Sequence, residues 1–326
     1  MKVAVIGAGV SGLAAARTLH QGGAEVVVFE KSGKVGGRVA TRKVGDFVFD
    51  TGASSIVPRG LALQSVLLNE LPQDELHLIQ KPIYIFENHH ISVGDHARNS
   101  QPRYTYINGN ATLPNLLVDG LDIRLNTSVE TIEKADDGFA VLDTKFDRVV
   151  TATPIPQAAP LLWGIGETRP FANSSFRSCL SILLGFTKEF EQMPPFHALL
   201  DPEGRNPLGW LSIESVKSPN RAPNGCTAIV AQLNAPFSKT HFEDADDKIV
   251  EWTLDSMARV IGPGWAEPTV KEVKRWKYSQ PEGLASFESV NKPGSKVVIA
   301  GDGLLGGRVE QAYQSGLRAA QILLVG

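Results

Sequence analysis

The 326-residue sequence has little cysteine, little excess charge and no long apolar run. Its two cysteines, Cys179 and Cys226, lie far apart, a spacing typical of neither a disulfide framework nor a metal site. A net charge of −3 argues against nucleic acid as a partner, because phosphate backbones bind basic surfaces. No apolar run reaches the length of a membrane span, and the first residues lack the pattern of a signal peptide. We therefore expect a cytoplasmic protein with no membrane span.

The first thirty residues carry a pattern typical of dinucleotide binding. A short apolar run leads into a glycine turn, a helix-like run follows, and a second apolar run ends on Glu30. Gly7 permits the tight turn, Gly9 leaves room for a pyrophosphate, and Gly12 lets helix and strand pack closely. The Glu30 carboxylate can accept hydrogen bonds from a ribose diol. Because strand, helix and acid are all in place, the sequence predicts a bound dinucleotide rather than a turn that serves packing alone.

The residues after the second apolar run indicate which dinucleotide is bound. Gly36 and Gly37 bring the chain near the pyrophosphate, and Arg38 can reach it. A plain NAD dehydrogenase does not need this extension. The combination resembles the FAD signature of the flavin amine oxidase superfamily, so FAD is the predicted cofactor.

A second cofactor motif lies near residue 300. A buried-type strand ends at Gly301 and Asp302, and a helix is expected to begin near Arg308 and Val309. The glycine spacing also fits a second nucleotide site, but about twenty residues remain, too few for another strand and its ribose-binding acid. We interpret the motif as a flavin-ribityl site, with Asp302 accepting from a hydroxyl and the helix N-terminus facing the flavin pyrimidine edge.

The middle of the sequence has a different pattern: extended runs alternate with Pro/Asn/Gly loops, and one amphipathic helix is expected at about 245–261. We expect residues 121–153 to form a compact β block with a strand at 129–133. The predicted fold class is α/β, a Rossmann-type FAD-binding domain that is discontinuous in sequence, with a second, mixed-sheet α+β substrate domain. The FAD-binding domain is assigned to residues 1–62, 104–164 and 290–326, and the substrate domain to residues 63–103 and 165–289.

Taken end to end, the sequence resembles the renalase branch of the flavin amine oxidase superfamily. Besides the cofactor motifs, the resemblance is carried by segments 50–53, 207–211, 235–237 and 275–279. The terminal motifs are shared across the superfamily, whereas the surroundings of Trp210 and of Trp276–Tyr278 are typical of this branch.

The resemblance implies an FAD-dependent oxidase that acts on a small molecule. An isomeric dihydronicotinamide, or a related small reduced heterocycle, would pass a hydride to flavin N5, and O2 would reoxidise the flavin to give H2O2. Amine oxidases of the superfamily carry a lysine on a substrate-domain strand, and the corresponding run here, 179–186, has none. No cysteine lies near residues 280–310, so we expect the FAD to be non-covalent.

Motifs and resemblance together predict two sets of site residues, without a catalytic side chain or a metal ligand. The adjacent pair His89-His90 is interpreted as a solvated turn, because neighbouring strand residues point to opposite faces. The cofactor-binding set is Gly7, Gly9, Gly12, Glu30, Lys31, Gly36, Gly37, Arg38, Gly52, Ala53, Val129, Gly301, Asp302, Arg308 and Val309. The substrate-pocket set is Ser54, Ser55, Trp210, Gln232, Trp276 and Tyr278, for whose aromatic members core packing is an equally good interpretation.

Two departures from the renalase pattern bear on the substrate. Ser54-Ser55 stands where the pattern has a glutamine and an aromatic residue, and Gln232 stands where it has a histidine. Both positions border the expected flavin pocket, and changes there alter specificity. Three alternatives stay open: an amine oxidase, a desaturase or isomerase of an apolar polyene, and a flavin-binding protein without turnover.

Overall fold

The computed structural model describes residues 1–87 and 90–325. In this part of the chain the strands are β1 (Lys2–Ile6), β2 (Glu25–Phe29), β3 (Thr41–Val44), β4 (Phe47–Asp50), β5 (Leu76–Leu78), β6 (Ile83–Glu87), β7 (His90–Val93), β8 (Tyr104–Tyr106), β9 (Asp122–Arg124), β10 (Glu133–Ala135), β11 (Gly138–Val141), β12 (Thr144–Phe146), β13 (Arg148–Thr151), β14 (Ser175–Phe186), β15 (Ala198–Leu200), β16 (Leu208–Ile213), β17 (Thr227–Leu233), β18 (Val270–Gly283) and β19 (Val297–Ile299).

The α-helices in the same residues are α1 (Val10–Gln21), α2 (Leu61–Ser65), α3 (His96–Asn99), α4 (Thr112–Leu117), α5 (Ile155–Gly164), α6 (Glu214–Lys217), α7 (Ala235–Thr240), α8 (Asp246–Ile261), α9 (Phe287–Val290) and α10 (Val309–Val325). A π-helical turn, Val66–Glu70, continues α2. Among the described residues, no helix combines the length and the apolar character needed to cross a membrane.

A parallel sheet with the strand order β19-β13-β1-β2-β9 forms the first layer. Its strands are apolar throughout because both faces are covered. In β1, Val3 and Val5 face a core shared with α1 and α10. Ala4 and Ile6 face a second core shared with α5 and with the antiparallel sheet β10-β11-β12. This is the predicted Rossmann-type arrangement, and it is confirmed.

A mixed sheet with the order β18-β14-β17-β16-β15-β6-β7 forms the second layer. Adjacent strands of this sheet are antiparallel, except that β15 and β6 are parallel. One face packs against the amphipathic helix α8 through Ile249 and Met257. The other packs on Phe47 and Phe49 of β4. The mixed second sheet predicted from the sequence is therefore confirmed.

The expected β block at 121–153 does not form as one unit. Strands β9 and β13 join the parallel sheet, and only β10 to β12 form a separate antiparallel sheet. The strand expected at 129–133 is wrong, because β10 begins at Glu133. Ile132 is buried by packing in the second core of the parallel sheet rather than by strand pairing.

The domain bounds stay a prediction. Leu63 and Leu67, assigned to the substrate domain, lie in the same core as Leu13 of α1 and Ala320 of α10. Strands β6 and β7 pair in antiparallel orientation. Residues 88–89 lie outside the described residues, so the interpretation of His89 stays a prediction, whereas His90 is the exposed first residue of β7.

Candidate functional site

A cavity of about 1960 Å³ opens at the carboxyl ends of the parallel strands and extends to the second sheet. Gly7 after β1, Glu30 after β2 and Ala152 after β13 line its first half. Its other half is lined from β16, β17 and β18. Pockets for drug-sized molecules measure roughly 300–1,000 Å³, so this cavity has room for a dinucleotide and a second small molecule. Its position is where open α/β sheets bind ligands.

The glycine turn before α1 forms a cradle for phosphate groups. Gly9 is the N-cap residue with φ −72° and ψ 173°, and no side chain among the described residues caps the free amides there. A Cβ added at Gly9 would meet no described atom within 4 Å, so the space in front of the helix is open. Gly36 donates its amide to the Ala8 carbonyl at 2.8 Å and brings the second glycine pair beside the cradle. Free amides and open space at a helix N-terminus fit a pyrophosphate.

Two other glycines allow the tight backbone geometry of this turn. Gly7 has a φ of +103°, a conformation that side chains rarely adopt. A Cβ at Gly12 would lie 1.9 Å from the Gly7 carbonyl oxygen. Gly12 does not line the cavity, and its part is the close packing of α1 on the turn.

Glu30 lies at the end of β2 with its carboxylate already fixed. One oxygen accepts from the Ala8 amide at 2.9 Å, and the other accepts from the Ser32 amide at 2.9 Å and its hydroxyl at 2.7 Å. A carboxylate has about four acceptor sites, so acceptor capacity remains for a ribose diol. The buried position of Glu30 at the cavity wall fits this use.

Arg38 and Asp302 form a two-point ion pair. Both N–O distances are 2.7 Å, and Arg38 also donates to the Ser279 carbonyl at 3.2 Å. Asp302 follows β19, and Arg308 and Val309 line the cavity at the start of α10. The structure thus brings the two separate cofactor motifs of the sequence to one wall.

Two of the predicted pocket residues hold the turn that follows β4. Gln232 donates to the Gly52 carbonyl at 3.0 Å, and the Trp276 indole donates to the Thr51 carbonyl at 2.8 Å. Trp210 is the cross-strand partner of Gln232, and its buried indole N–H has no hydrogen-bond partner among the described residues. An unpartnered buried donor at a cavity wall is available to a ligand.

A buried charge cluster packs against the turn that follows β4. Lys217 Nζ lies 2.8 Å from Asp50 and 2.6 Å from Glu214, and Arg221 lies 2.9 Å from Asp50. All four side chains are fully buried. Burial raises the pKa of Asp50, but Lys217 and Arg221 outweigh this and lower it to about 2. Lys217 also donates to the Ser54 carbonyl at 3.1 Å, so the cluster fixes the backbone of a predicted pocket residue.

Cys179 is a buried thiol at the cavity wall. Burial raises its pKa to about 12, and the opposing influences of Arg177 and Ser279 are smaller. The thiol therefore stays protonated at physiological pH and is a poor nucleophile.

The structure brings nearly all of the predicted site residues to one cavity. Among the predicted set only Gly12 and Gly301 lie outside the lining. Gly301 instead binds the Ser315 hydroxyl of α10 through its amide at 2.8 Å. The individual roles stay predictions, since proximity to a cavity does not define them.

Sequence reasoning missed a group of cations at the cavity wall. Arg59, Arg98, Arg103 and Lys274 all line it. They stand in loops, short elements and an exposed strand face, where single basic residues are common, so no local pattern distinguishes them. The buried charge cluster was missed for the same reason.

The cradle before α1, the buried acid Glu30 after β2 and the Arg38–Asp302 wall fit one class of protein, an FAD-dependent oxidoreductase. The chain belongs to the family described as flavin containing amine oxidoreductase, whose sequence profile matches residues 10–95 and 85–324. Proteins of this family bind FAD, and the residues described above fit that cofactor.

Solved structures show the same fold. The putative protoporphyrinogen oxidase from Exiguobacterium sp. 255-15 is similar with a TM-score of 0.82 and 13% identity, over 99% of this chain and 98% of that chain. Cyclohexylamine oxidase from Brevibacterium oxydans IH-35A has a TM-score of 0.80 and 15% identity, over 99% and 98%. At such low identity the likeness concerns the fold alone.

A curated relative matches over a short stretch only. The 4,4'-diapophytoene desaturase (4,4'-diaponeurosporene-forming) of Staphylococcus aureus (strain Newman) is 51% identical over 57 residues. This match spans 18% of the chain and 11% of that enzyme, so it carries no conclusion about the substrate.

Proposed function

We propose that this oxidoreductase is a renalase-type oxidase that acts on an anionic, reduced heterocycle, an isomeric dihydronicotinamide dinucleotide. The observation that carries the proposal is the charge of the cavity. Among the described residues, eleven lysines and arginines line it, against six aspartates and glutamates. The whole chain, by contrast, has a net charge of −3.

This excess of positive charge favours an anion beside the cofactor. The two phosphates of FAD offset part of it, and the rest remains to attract a negatively charged substrate. Monoamines and polyamines are cations at neutral pH and would be repelled. The charge of the lining therefore favours a dinucleotide over an amine.

Within the proposal, bound FAD supplies the hydride-accepting chemistry, and the side chains position the reduced ring. Gln232 and Trp276 hold the Thr51–Gly52 turn, which keeps the pocket floor in place. The free indole N–H of Trp210 would donate to a carboxamide oxygen of the substrate. Ser54 and Ser55 provide polar contacts, Tyr278 provides an aromatic wall, and dioxygen is the proposed acceptor.

Amine oxidation is the second candidate, and one residue favours it. Lys274 on β18 lines the cavity, although β14 carries no lysine. Its Nζ lies 4.8 Å from the Trp276 ring centroid, next to the turn that Trp276 binds. A lysine in this place could hold a water near the flavin, as in amine oxidases of the superfamily.

Anaerobic reduction of the flavoprotein tests both candidates. We expect isomeric dihydronicotinamide dinucleotides to bleach the oxidised flavin band rapidly, and ordinary NADH, monoamines and polyamines to do so slowly or not at all. Admission of O2 should restore the band and release H2O2. The Lys274→Met variant should keep this activity. Fast bleaching by an amine, lost in Lys274→Met, would overturn the proposal in favour of amine oxidation.

A further inference from the structure

Four arginines meet at one part of the cavity wall. Arg59 precedes α2, Arg98 lies in α3, Arg103 precedes β8 and Arg308 precedes α10. These segments are distant in sequence, so only the fold brings them together. Burial, with the positive charges of Arg98, Arg59 and Arg308 as smaller causes, lowers the pKa of Arg103 to about 10. Arg103 also donates to the Arg98 carbonyl oxygen at 2.7 Å, and the Arg59 amide binds Glu310, two positions after Arg308. The four residues, the arginine quartet, therefore lie near one another.

The quartet is not neutralised by acidic side chains. Across residues 1–87 and 90–325, none of the four forms a salt bridge, whereas Arg38 and Arg42 at the same cavity are both paired with acids. The Arg103 Nε is buried and has no hydrogen-bond partner in those residues. Such an atom is costly unless a ligand satisfies it.

Two acids beside the quartet bind backbone amides, and the first, Asp95, accepts the amide of Arg98 at 2.7 Å. Glu310 is buried, and its carboxylate accepts the backbone amides of Arg59 and Gly60 and the amide of Gln314. It fixes the loop that carries Arg59 rather than pairing with a guanidinium. The two carboxylates together also leave half of the charge of four arginines unbalanced.

The quartet lies away from the phosphate cradle of the cofactor. Gly316 of α10 packs on the first turn of α1, where an added Cβ would lie 2.1 Å from the Ser11 carbonyl oxygen. Arg308 stands eight residues earlier, about 12 Å along the helix axis at 1.5 Å per residue. Ile56, next to the predicted pocket residue Ser55, pairs with Tyr104, next to Arg103, through two backbone hydrogen bonds of 2.8 Å. The quartet is thus at the pocket end of the cavity.

We propose that the arginine quartet is an anion site that binds the phosphate groups of the substrate while the reduced ring lies in the pocket. The inference rests on the proposed function and deepens it, since a dinucleotide carries two such groups. Forked guanidinium groups bind phosphate oxygens in pairs, which would satisfy the Arg103 Nε and relieve the repulsion among the four cations.

Calorimetric titration of the FAD-saturated protein with inorganic pyrophosphate tests the site directly. We expect one pyrophosphate per chain, weakened about tenfold or more in Arg103→Met and in the Arg59→Gln/Arg98→Gln pair. The second variant changes exposed side chains only, so it keeps the test valid if Arg103→Met does not fold. Arg42→Gln, from the same cavity, is the control and should bind as the parent protein does. Equal binding by all variants, or no binding by the parent protein, would refute the site.

Steady-state kinetics separates this inference from the proposed function. With an isomeric dihydronicotinamide dinucleotide, the quartet variants should raise KM about tenfold or more and leave kcat unchanged. With the corresponding riboside, which has no phosphate, KM should not change. If no isomer reduces the flavin while pyrophosphate still binds through the quartet, the proposed function fails and the anion site stands. If the dinucleotide KM is insensitive to the quartet, the anion site fails and the function stands.

Discussion

Arg38 and Asp302 are 264 positions apart and meet through two hydrogen bonds of 2.7 Å each. The pair joins the glycine-rich extension after β2 to the motif after β19, so one contact unites the two segments that are predicted to build the FAD site. Bidentate pairs of this kind fix orientation as well as distance.

Replacing Arg38 by glutamine should weaken FAD binding without unfolding the protein. The loss of charge-assisted hydrogen bonds costs about 1.5–3 kcal/mol. Titration of apoprotein with FAD, followed by flavin fluorescence, measures it. Arg42→Gln is the matched control, because Arg42 lines the same cavity but pairs with Glu272 at its exposed rim. Equal affinities in the two variants would argue against a cofactor role for Arg38.

Two alanine substitutions in one turn should separate folding from cofactor binding. In Gly9→Ala the added Cβ meets no described atom within 4 Å, so the protein should fold with near-normal stability. The methyl group would occupy the place of the pyrophosphate, and FAD should be lost. In Gly12→Ala the Cβ would lie 1.9 Å from a backbone oxygen, so stability itself should fall. Thermal unfolding and the flavin content of both proteins check this. A Gly9→Ala protein that is still yellow would contradict pyrophosphate binding at the turn before α1.

Lys217→Met should be strongly destabilising. It leaves Asp50 and Glu214 buried with one cation instead of two, a change that costs about 3–5 kcal/mol. Urea unfolding measures the free-energy difference. Lys271→Met removes an exposed pair with Asp247 and should change stability by about 1 kcal/mol at most. Similar losses in the two variants would show that the cluster adds nothing beyond a surface pair.

The same cluster should make the protein sensitive to acid. The pKa of Asp50 is lowered from 3.8 to about 2 when the chain folds, so its ionised form contributes stability above the unfolded value. That contribution should be lost as the pH falls from about 4 toward about 2. Unfolding free energies across this range test it. The Asp50→Asn variant should have a lower unfolding free energy at neutral pH, and that free energy should fall less steeply between about pH 4 and pH 2.

The two cysteines should react with alkylating reagents at very different rates. Cys179 is buried with its pKa raised to about 12, so little thiolate is present at pH 8. Cys226 is partly exposed and provides the internal control. Mass spectrometry after brief iodoacetamide treatment should find one modified residue in the native protein and two in urea. Rapid modification of Cys179 in native protein would contradict its burial.

Local patterns account for what the sequence could predict. The turn of Gly7 and Gly12 and the acid Glu30 obey spacing rules within one βαβ unit, and the fold follows from them. The arginine quartet and the Asp50 cluster could not be predicted, because their members come together only through packing of both sheets. At Ile132 a local pattern led to a wrong prediction. Its apolar run suggested a strand, but its burial comes from the core beneath β10 to β12.

The contact of Gly316 with Ser11 has a consequence for biosynthesis. The face of α1 that receives α10 leaves the ribosome about 300 residues before its partner is made. At about 5–20 residues per second, it waits roughly 15 to 60 seconds uncovered. The nascent chain must keep this apolar face from aggregating, and it can complete the flavin site only after α10 has been translated. At the predicted cofactor site, flavin capture therefore follows the synthesis of α10.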